Sequence, residues 1–459
     1  MSAARVANVR IRPLGTGYTR PAGQMAEQIM KASGIGVARF YAAAALAFIL
    51  VALAPGIGRA EQPLPVTPGL SSEDRARVRS YMQQEVTAGK IPGAVLLIQQ
   101  HGRPVLFESY GVRDTDSQRP MTSDTIFRFY SMSKAITSVA AMMLVDDGKL
   151  SLDDPLSKYI PAFANVKVGV ERREDNGNTA LLYEPLARPI TIEDLLRHTS
   201  GLTYGFYGDR PVQKIYAASD LFEGDFDNAL FAERIAKLPL AEQPGTQWDY
   251  GHSTDILGRV VEVVSGRSLF QFEKERLLDP LGMSEMAFYL ADDTKRSRVA
   301  EPLPADRFKG PVAGINDPIL PRRWESGGAG MIGTIGDYAR FSQMLLNGGT
   351  LDGRRYLKSE TVALMTSDRI GPETKIARDQ FYFPGENTGF GLGFAVRTSV
   401  PAQTPSWPTG EYRWGGAGGA FFFIDPKHNM FTICMMQAPS QSERIRIELK
   451  NLIYGALSR

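Results

Sequence analysis

Ser131 and Lys134 stand three positions apart, and their side chains can supply a nucleophile and its base. On a helix, this spacing places both side chains on one face, about one turn apart. A serine hydroxyl is a weak nucleophile until a base takes its proton, and a lysine can be that base when burial disfavours its charged form. The flanking Phe129 and Ile136 are apolar enough to bury the amine. The pair therefore predicts covalent catalysis, with a helix cap and a surface lysine as the alternative.

The elements that would position this pair follow from the spacing of apolar residues. A helical period begins at Ser131, and helical patterns such as residues 191–202 recur through a helical region at about 131–384. Short apolar runs separated by turn residues occupy the flanking regions, about 70–130 and 385–459. Strands at both ends with helices between them do not fit a regular parallel sheet. The sequence predicts an α+β fold with an antiparallel sheet built from both chain ends and flanked by helices.

Residues 1–60 are predicted to be an export leader, and residues 61–459 a single domain. The run YAAAALAFILVALA at 41–54 is apolar and uncharged, Lys31 precedes it, and small residues occupy two of the three positions at 58–60. The run is short for a membrane span of about 20 residues. We expect a cleaved signal peptide, a periplasmic or secreted protein and no membrane span in the mature chain. An uncleaved N-terminal anchor is the alternative.

The composition is that of a globular protein with a sizeable core: 459 residues, 43% hydrophobic and 22% charged. The leader holds seven of the 52 basic residues and one of the 50 acidic residues, so the rest of the chain has a net charge of −4. No nucleic-acid partner is expected for such a body. The single cysteine, Cys434, lies in an apolar run and predicts a buried thiol.

Several segments match or nearly match the consensus sequence of a known site but lack the structural context that the site requires. Residues 328–333 match G-x-G-x-x-G, but no strand leads into them, and Thr334 with Asp337 looks like a capping box. Residues 251–255 resemble G-x-S-x-G but end in Asp. The four histidines lack metal-ligand spacing. We therefore expect no metal and no organic cofactor.

Four segments in one order resemble the serine β-lactamase and penicillin-binding superfamily. They are S-M-S-K at 131–134, HTSGL at 198–202, PGTQWDYGHSTDILGRVVEVVSG at 244–266 and RWGGAGGAFFFIDP at 413–426. The resemblance covers about residues 70–455 and is greatest to class C β-lactamases, DD-peptidases and, above all, family VIII carboxylesterases. It implies a β-lactamase/transpeptidase-like fold, in which an all-α region lies beside the sheet and the cleft lies between them.

The resemblance also implies roles for individual residues. Ser131 matches the acylated nucleophile, Lys134 its partner lysine, and Tyr250 the tyrosine that shuttles the proton. The backbone N–H groups of Ser131 and Ala417 would form the oxyanion hole. Whether Lys134 or Tyr250 takes the first proton stays open.

Two positions depart from the pattern of lactamases and peptidases. His252 stands where Asn is usual; it could donate a hydrogen bond to substrate, or be a histidine packed in the fold. The third motif is Trp414-Gly415-Gly416, whereas lactamases and peptidases have Lys-Thr-Gly, whose lysine helps to hold the substrate carboxylate. Trp414 cannot do that. The substitution favours a neutral ester, and Trp-Gly-Gly is also the pattern of family VIII esterases.

Together these features predict an exported serine hydrolase that forms an acyl-enzyme on ester or amide bonds of a small molecule. A carboxylesterase is the first hypothesis. The alternatives are a β-lactamase or D-amino-acid peptidase of the same fold, and a non-catalytic penicillin-binding-like module. Aromatic residues at 204–207 and 381–383 are predicted to line either the pocket or the core.

Overall fold

The fold is taken from a computed structural model that describes residues 69–458, except 174, 176–178, 309–316, 372–373, 377–384, 386 and 401–406. The predicted leader at 1–60 and the aromatic segment at 381–383 lie outside the described residues. In the part of the chain that is described, no helix is long and apolar enough to cross a membrane.

An eight-stranded antiparallel sheet built from both ends of the chain is the centre of the fold. The described residues contain β1 (Gly93–Gln100), β2 (Arg103–Asp114), β3 (Arg119–Pro120), β4 (Phe127–Arg128), β5 (Lys167–Arg173), β6 (Thr179–Pro185), β7 (Gln247–Trp248), β8 (Ile332–Gly333), β9 (Thr350–Leu351), β10 (Arg354–Arg355), β11 (Lys375–Ile376), β12 (Thr388–Phe390), β13 (Ala395–Arg397), β14 (Tyr412–Gly415), β15 (Phe421–Asp425) and β16 (Met430–Met436). The sheet order is β12-β13-β14-β15-β16-β1-β2-β3. β16 pairs with β1, with Ala94 opposite Met436. The predicted antiparallel sheet is confirmed.

Eleven α-helices accompany these strands within the described residues. They are α1 (Ser72–Thr87), α2 (Ser133–Asp146), α3 (Ile192–Leu196), α4 (Pro211–Ala217), α5 (Asn228–Ile235), α6 (Ser253–Ser265), α7 (Leu269–Glu273), α8 (Asp279–Leu281), α9 (Ile335–Leu346), α10 (Ser359–Met365) and α11 (Ser442–Leu457). The predicted capping box of α9 is present: Thr334 accepts from the Asp337 N–H, and Asp337 accepts from the Thr334 N–H.

Both faces of the sheet are covered, which explains the nearly continuous apolar sequence of β1. Successive side chains of a strand point to opposite faces. Val95 and Leu97 pack in the cluster that contains α2, whereas Leu96 and Ile98 pack in the cluster formed with α1 and α11. Cys434 lies in that second cluster as a buried free thiol, as predicted.

α2 is buried on every side from Ser133 to Leu144. A helix that is buried on all sides lies in a core, and its few polar residues there lose their contact with water. Lys134 enters the interior in the first turn of this helix. Its burial therefore follows from the packing of the whole helix.

Several segments of the predicted helical region are not helical, among them the short strands β7 to β11. The pattern at 191–202 is helical only in α3, because His198 has a φ of 59°, in the left-handed region that ends a helix. β5 and β6 form an antiparallel hairpin inside the same region. The alternation of Val168 and Val170 with polar or small residues was the signal for it.

Candidate active site

Ser131 lies in a 3-10 turn, Tyr130–Met132, that leads directly into α2. The serine is 6% exposed. Tyr130, just before it, has a φ of 46°, a left-handed conformation that a non-glycine residue adopts only when its surroundings impose it. One such constraint is Gly416, where an added Cβ would lie 2.1 Å from the carbonyl oxygen of Phe129. The backbone before Ser131 is thus pressed against the turn that follows β14.

Lys134 is buried, at 1% exposure, and its amine makes three polar contacts. Nζ lies 3.3 Å from Ser131 Oγ, 3.0 Å from the Tyr204 hydroxyl and 2.7 Å from the carbonyl oxygen of Gly328. The carbonyl can only accept, so it fixes one N–H of the amine in place. A neutral amine held there can direct its lone pair at the serine hydroxyl. The structure therefore brings Ser131 and Lys134 together, as their spacing predicted.

Burial lowers the pKa of Lys134 from its ordinary 10.5 to about 7, although the charge of Asp255 partly opposes that shift. Desolvation disfavours the ammonium because water is a better environment for the charge than the protein interior. A lysine with this pKa is substantially neutral near pH 7. It can then accept a proton at the pH at which most enzymes work.

Tyr250 follows β7 and is fully buried against the same amine. The Nζ of Lys134 lies 4.6 Å from the centre of the Tyr250 ring. The indole N–H of Trp414 donates to the Tyr250 hydroxyl at 3.3 Å. The phenol is therefore held between Lys134 and Trp414, where an N–H donor would also stabilise a phenolate.

The third motif forms the end of β14 and the turn after it. The Gly416 N–H donates to the carbonyl of Ala420 at 2.7 Å, and the Gly419 N–H donates to the carbonyl of Gly416 at 2.9 Å. These bonds close a tight turn with Ala417 inside it. Gly416, the residue before Ala417, lies against the backbone of Phe129, two residues before Ser131. The oxyanion role of Ala417 stays a prediction.

His252 lies just before α6 and is 3% exposed. Its Nδ1 is 2.9 Å from a carboxylate oxygen of Asp255, and its ring centre lies 4.5 Å from that of Tyr204. The substrate contact predicted for His252 stays a prediction. The observed ring is packed and hydrogen-bonded within the fold, which was the alternative.

Sequence reasoning did not assign Tyr204 and Gly328 to the surroundings of the lysine. Tyr204 was expected only to line a pocket or the core, and Gly328 belongs to the discounted glycine motif. Both reach Lys134 from loops distant in sequence. The one sequence signal for a role of Tyr204 near the lysine was its position shortly after the HTSGL segment.

Comparisons with known proteins show the family of the chain. A family model described as Beta-lactamase matches residues 78–454. An uncharacterised protein of Mycobacterium tuberculosis is 36% identical over 371 residues, which is 78% of this chain and 89% of that protein. Lovastatin esterase of Penicillium rubens is 31% identical over 374 residues, which is 78% of this chain and 91% of that enzyme.

A solved structure also resembles the chain. EstCE1, described as a hydrolase with promiscuous acyltransferase activity, is 26% identical, with a TM-score of 0.67. The similarity covers 83% of this chain and 99% of EstCE1. The fold class predicted from the sequence is confirmed.

Proposed function

Because this chain belongs to the β-lactamase family and is a serine hydrolase, we propose that it is an exported carboxylesterase that acts through an acyl-enzyme on Ser131. The observation that carries the proposal is the amine of Lys134, buried and 3.3 Å from Ser131 Oγ. A lysine in that environment is the activating base that a serine nucleophile needs.

Trp414 favours an ester over a lactam as the substrate. It is 5% exposed, and its ring packs 5.3 Å from that of Tyr250 and 5.2 Å from that of Phe390. An indole at this place offers a substrate apolar surface and no positive charge. A neutral acyl group fits such a wall better than a carboxylate does.

The reaction follows from these positions in two halves. Ser131 Oγ bonds to the carbonyl carbon of the ester, and we assign its proton to Lys134. The N–H groups of Ser131 and Ala417 stabilise the oxyanion. The bond to the alcohol then breaks, and the alcohol leaves with a proton delivered through Tyr250. Water attacks the acyl-enzyme along the same path, which releases the carboxylic acid and restores the serine.

The test is intact-mass analysis after incubation with a fluorophosphonate, with hydrolysis of p-nitrophenyl butyrate and nitrocefin followed in parallel. We expect one adduct, its loss in Ser131→Ala, and faster cleavage of the butyrate than of nitrocefin. Faster cleavage of nitrocefin would favour a β-lactamase. A folded protein with no adduct and no turnover would favour a binding module and contradict the enzyme proposal.

The pH dependence of turnover is a second expectation. Lys134 is protonated below its pKa of about 7 and cannot act as the base there. We expect kcat/KM for p-nitrophenyl butyrate to rise with pH and level off above 7, with the value at pH 6 about one tenth of the plateau. Circular dichroism at each pH separates this effect from unfolding. A flat profile from pH 6 to 8 would contradict Lys134 as the base.

Export is supported by the apolar run and the small residues at positions 58 and 60. We expect the mature chain to begin at Glu61, which its intact mass after expression in an export-competent bacterium would reveal. Recovery of the full-length chain from the membrane fraction would favour the uncleaved anchor instead.

A further inference from the structure

We propose that Asp255, in the first turn of α6, is a positioning residue that holds Lys134 beside Ser131 by way of the turn at residues 326–328. This inference rests on the proposed function, because it concerns how the base of that reaction is held. Asp255 has no part in the acyl-transfer steps, yet its carboxylate is buried, at 4% exposure. Burying a charge is costly unless its hydrogen bonds are satisfied, so its partners show what it holds.

One oxygen of the carboxylate holds the turn. Oδ1 accepts from the Ser326 hydroxyl at 2.6 Å and from the Gly328 N–H at 3.0 Å. The carbonyl of the same Gly328 accepts from Lys134 Nζ at 2.7 Å, the shortest of the three contacts of that amine. Asp255 and Lys134 thus bind the two backbone polar groups of one residue. The position of the Asp255 carboxylate therefore determines the position of the Gly328 carbonyl, to which Lys134 donates.

The turn has no free space in which to relax. A Cβ added to Gly328 would lie 2.8 Å from Asp255 Oδ2. A Cβ added to Gly327 would lie 2.9 Å from both the Thr137 side chain of α2 and the backbone oxygen of Thr254 in α6. The two glycines therefore let α2, the turn and α6 pack in direct contact. Close packing of this kind transmits a displacement instead of absorbing it.

The second oxygen is held by His252. Its Nδ1 lies 2.9 Å from Oδ2, and the aromatic rings of Tyr204 and Phe231 surround the imidazole, with ring centres 4.5 and 5.2 Å away. With both oxygens engaged, the carboxylate has one orientation. His252 thereby holds the carboxylate oxygen that does not accept hydrogen bonds from the turn.

The groups that face Lys134 predict how the charge of Asp255 acts on it. They are Ser131, His198, Tyr204, Tyr250 and Asp255. Burial holds the pKa of His198 well below 6.5, so that ring is neutral. Asp255 supplies the negative charge, and this charge raises the pKa of Lys134 against the effect of burial. Removing the charge must lower that pKa further.

Two substitutions separate the charge of Asp255 from its hydrogen bonds. Asp255→Asn keeps an acceptor oxygen for the turn and removes the charge. We expect the acid limb of kcat/KM for p-nitrophenyl butyrate to move to lower pH, with kcat at pH 8 within about fivefold of wild type. Asp255→Ala also removes the acceptor. We expect kcat to fall roughly 100-fold with KM within about threefold, because the base is displaced while the substrate contacts remain.

The fold contains a matched control. Asp425 is a fully buried carboxylate whose Oδ2 lies 2.5 Å from Nδ1 of His428, three residues away, at the end of β15. Asp425→Asn and Asp425→Ala disturb the same kind of pair outside the site. We expect them to lower the melting temperature and leave the acid limb unchanged. The proposal is overturned if two results are found together. The acid limb of Asp255→Asn lies at the same pH as that of the wild type, and Asp255→Ala is no less active than Asp425→Ala.

A measurement without turnover keeps the two proposals separable. The ¹³Cε shift of Lys134 in ¹³C-lysine-labelled protein, assigned with Lys134→Met, reports its titration directly. If the wild type cleaves no ester, the esterase proposal fails, and an unchanged Lys134 titration in Asp255→Ala, which lacks both the charge and the acceptor, still refutes the role of Asp255. If both Asp255 variants fail to fold, Ser326→Ala retains the charge and removes one anchor. We then expect kcat to fall about tenfold with an unshifted acid limb, and wild-type kcat would refute the proposal.

Discussion

Lys134→Met is expected to lower kcat/KM for a neutral ester on the order of 10⁴-fold while the protein stays folded. Methionine is unbranched and apolar, so it can fill the space of the lysine stem in α2. The carbonyl of Gly328 loses its donor, at a cost of about 1–3 kcal/mol. The substitution removes the amine that lies 3.3 Å from Ser131 Oγ and to which we assign the proton. Steady-state hydrolysis of p-nitrophenyl butyrate and the rate of fluorophosphonate labelling measure the loss.

Lys450→Met is the matched control, because Lys450 is a second fully buried lysine. It donates to Glu411 at 2.5 Å, and both side chains are 0% exposed. Breaking this pair leaves the buried Glu411 carboxylate with the Tyr454 hydroxyl as a donor but without the Lys450 ammonium, which costs up to about 3–5 kcal/mol of folding free energy. We expect a lower melting temperature and retained kcat. If Lys134→Met acylates at the wild-type rate, the first proton goes elsewhere, and Tyr250 becomes the base.

Gly416→Ala is expected to lower kcat roughly 100- to 1,000-fold with little change in KM. The new Cβ would lie 2.1 Å from the carbonyl oxygen of Phe129 and 3.3 Å from Cβ of Tyr130. The first of these is backbone, which cannot rotate away, so the turn must move. That movement takes the N–H of Ala417 away from the oxyanion position while Trp414 remains in place.

Gly455→Ala is the control for that substitution, because a Cβ at this position of α11 meets no atom within 4 Å. We expect unchanged kcat and a melting temperature that is equal or higher, since alanine favours a helix over glycine by about 1 kcal/mol. Wild-type activity in Gly416→Ala, with the variant folded, would contradict an oxyanion site formed by Ala417.

The sequence predicted the local features well because they have local causes. The three-residue spacing of Ser131 and Lys134 is realised by the 3-10 turn that holds Ser131 and the start of α2 that holds Lys134. The apolar strands at both ends pair as expected. Burial of Lys134 was also predictable, because its neighbours along the chain are apolar. These are properties that a short stretch of residues determines alone.

The remaining features depend on contacts between distant segments. Tyr204 and Gly328 contact Lys134 only because separate loops fold over α2. The role of Asp255 requires the turn at 326–328 to lie between two helices, and no periodicity encodes that arrangement. For His252 the sequence left both a substrate donor and a packed histidine open. The ring contacts the Asp255 carboxylate and packs against Tyr204, and the substrate contact stays a prediction.

The pairing of β1 with β16 has a consequence for the time at which the enzyme can first work. About 340 residues separate Ala94 from its partner Met436. At a ribosomal rate of about 5–20 residues per second, β1 waits roughly 20–70 s for that partner to be made. During this time Ser131 and Lys134 already exist, but the turn that contains Ala417 does not. Until then the edge of β1 that pairs with β16 is apolar and unpaired, which is the kind of edge to which strands of other chains add.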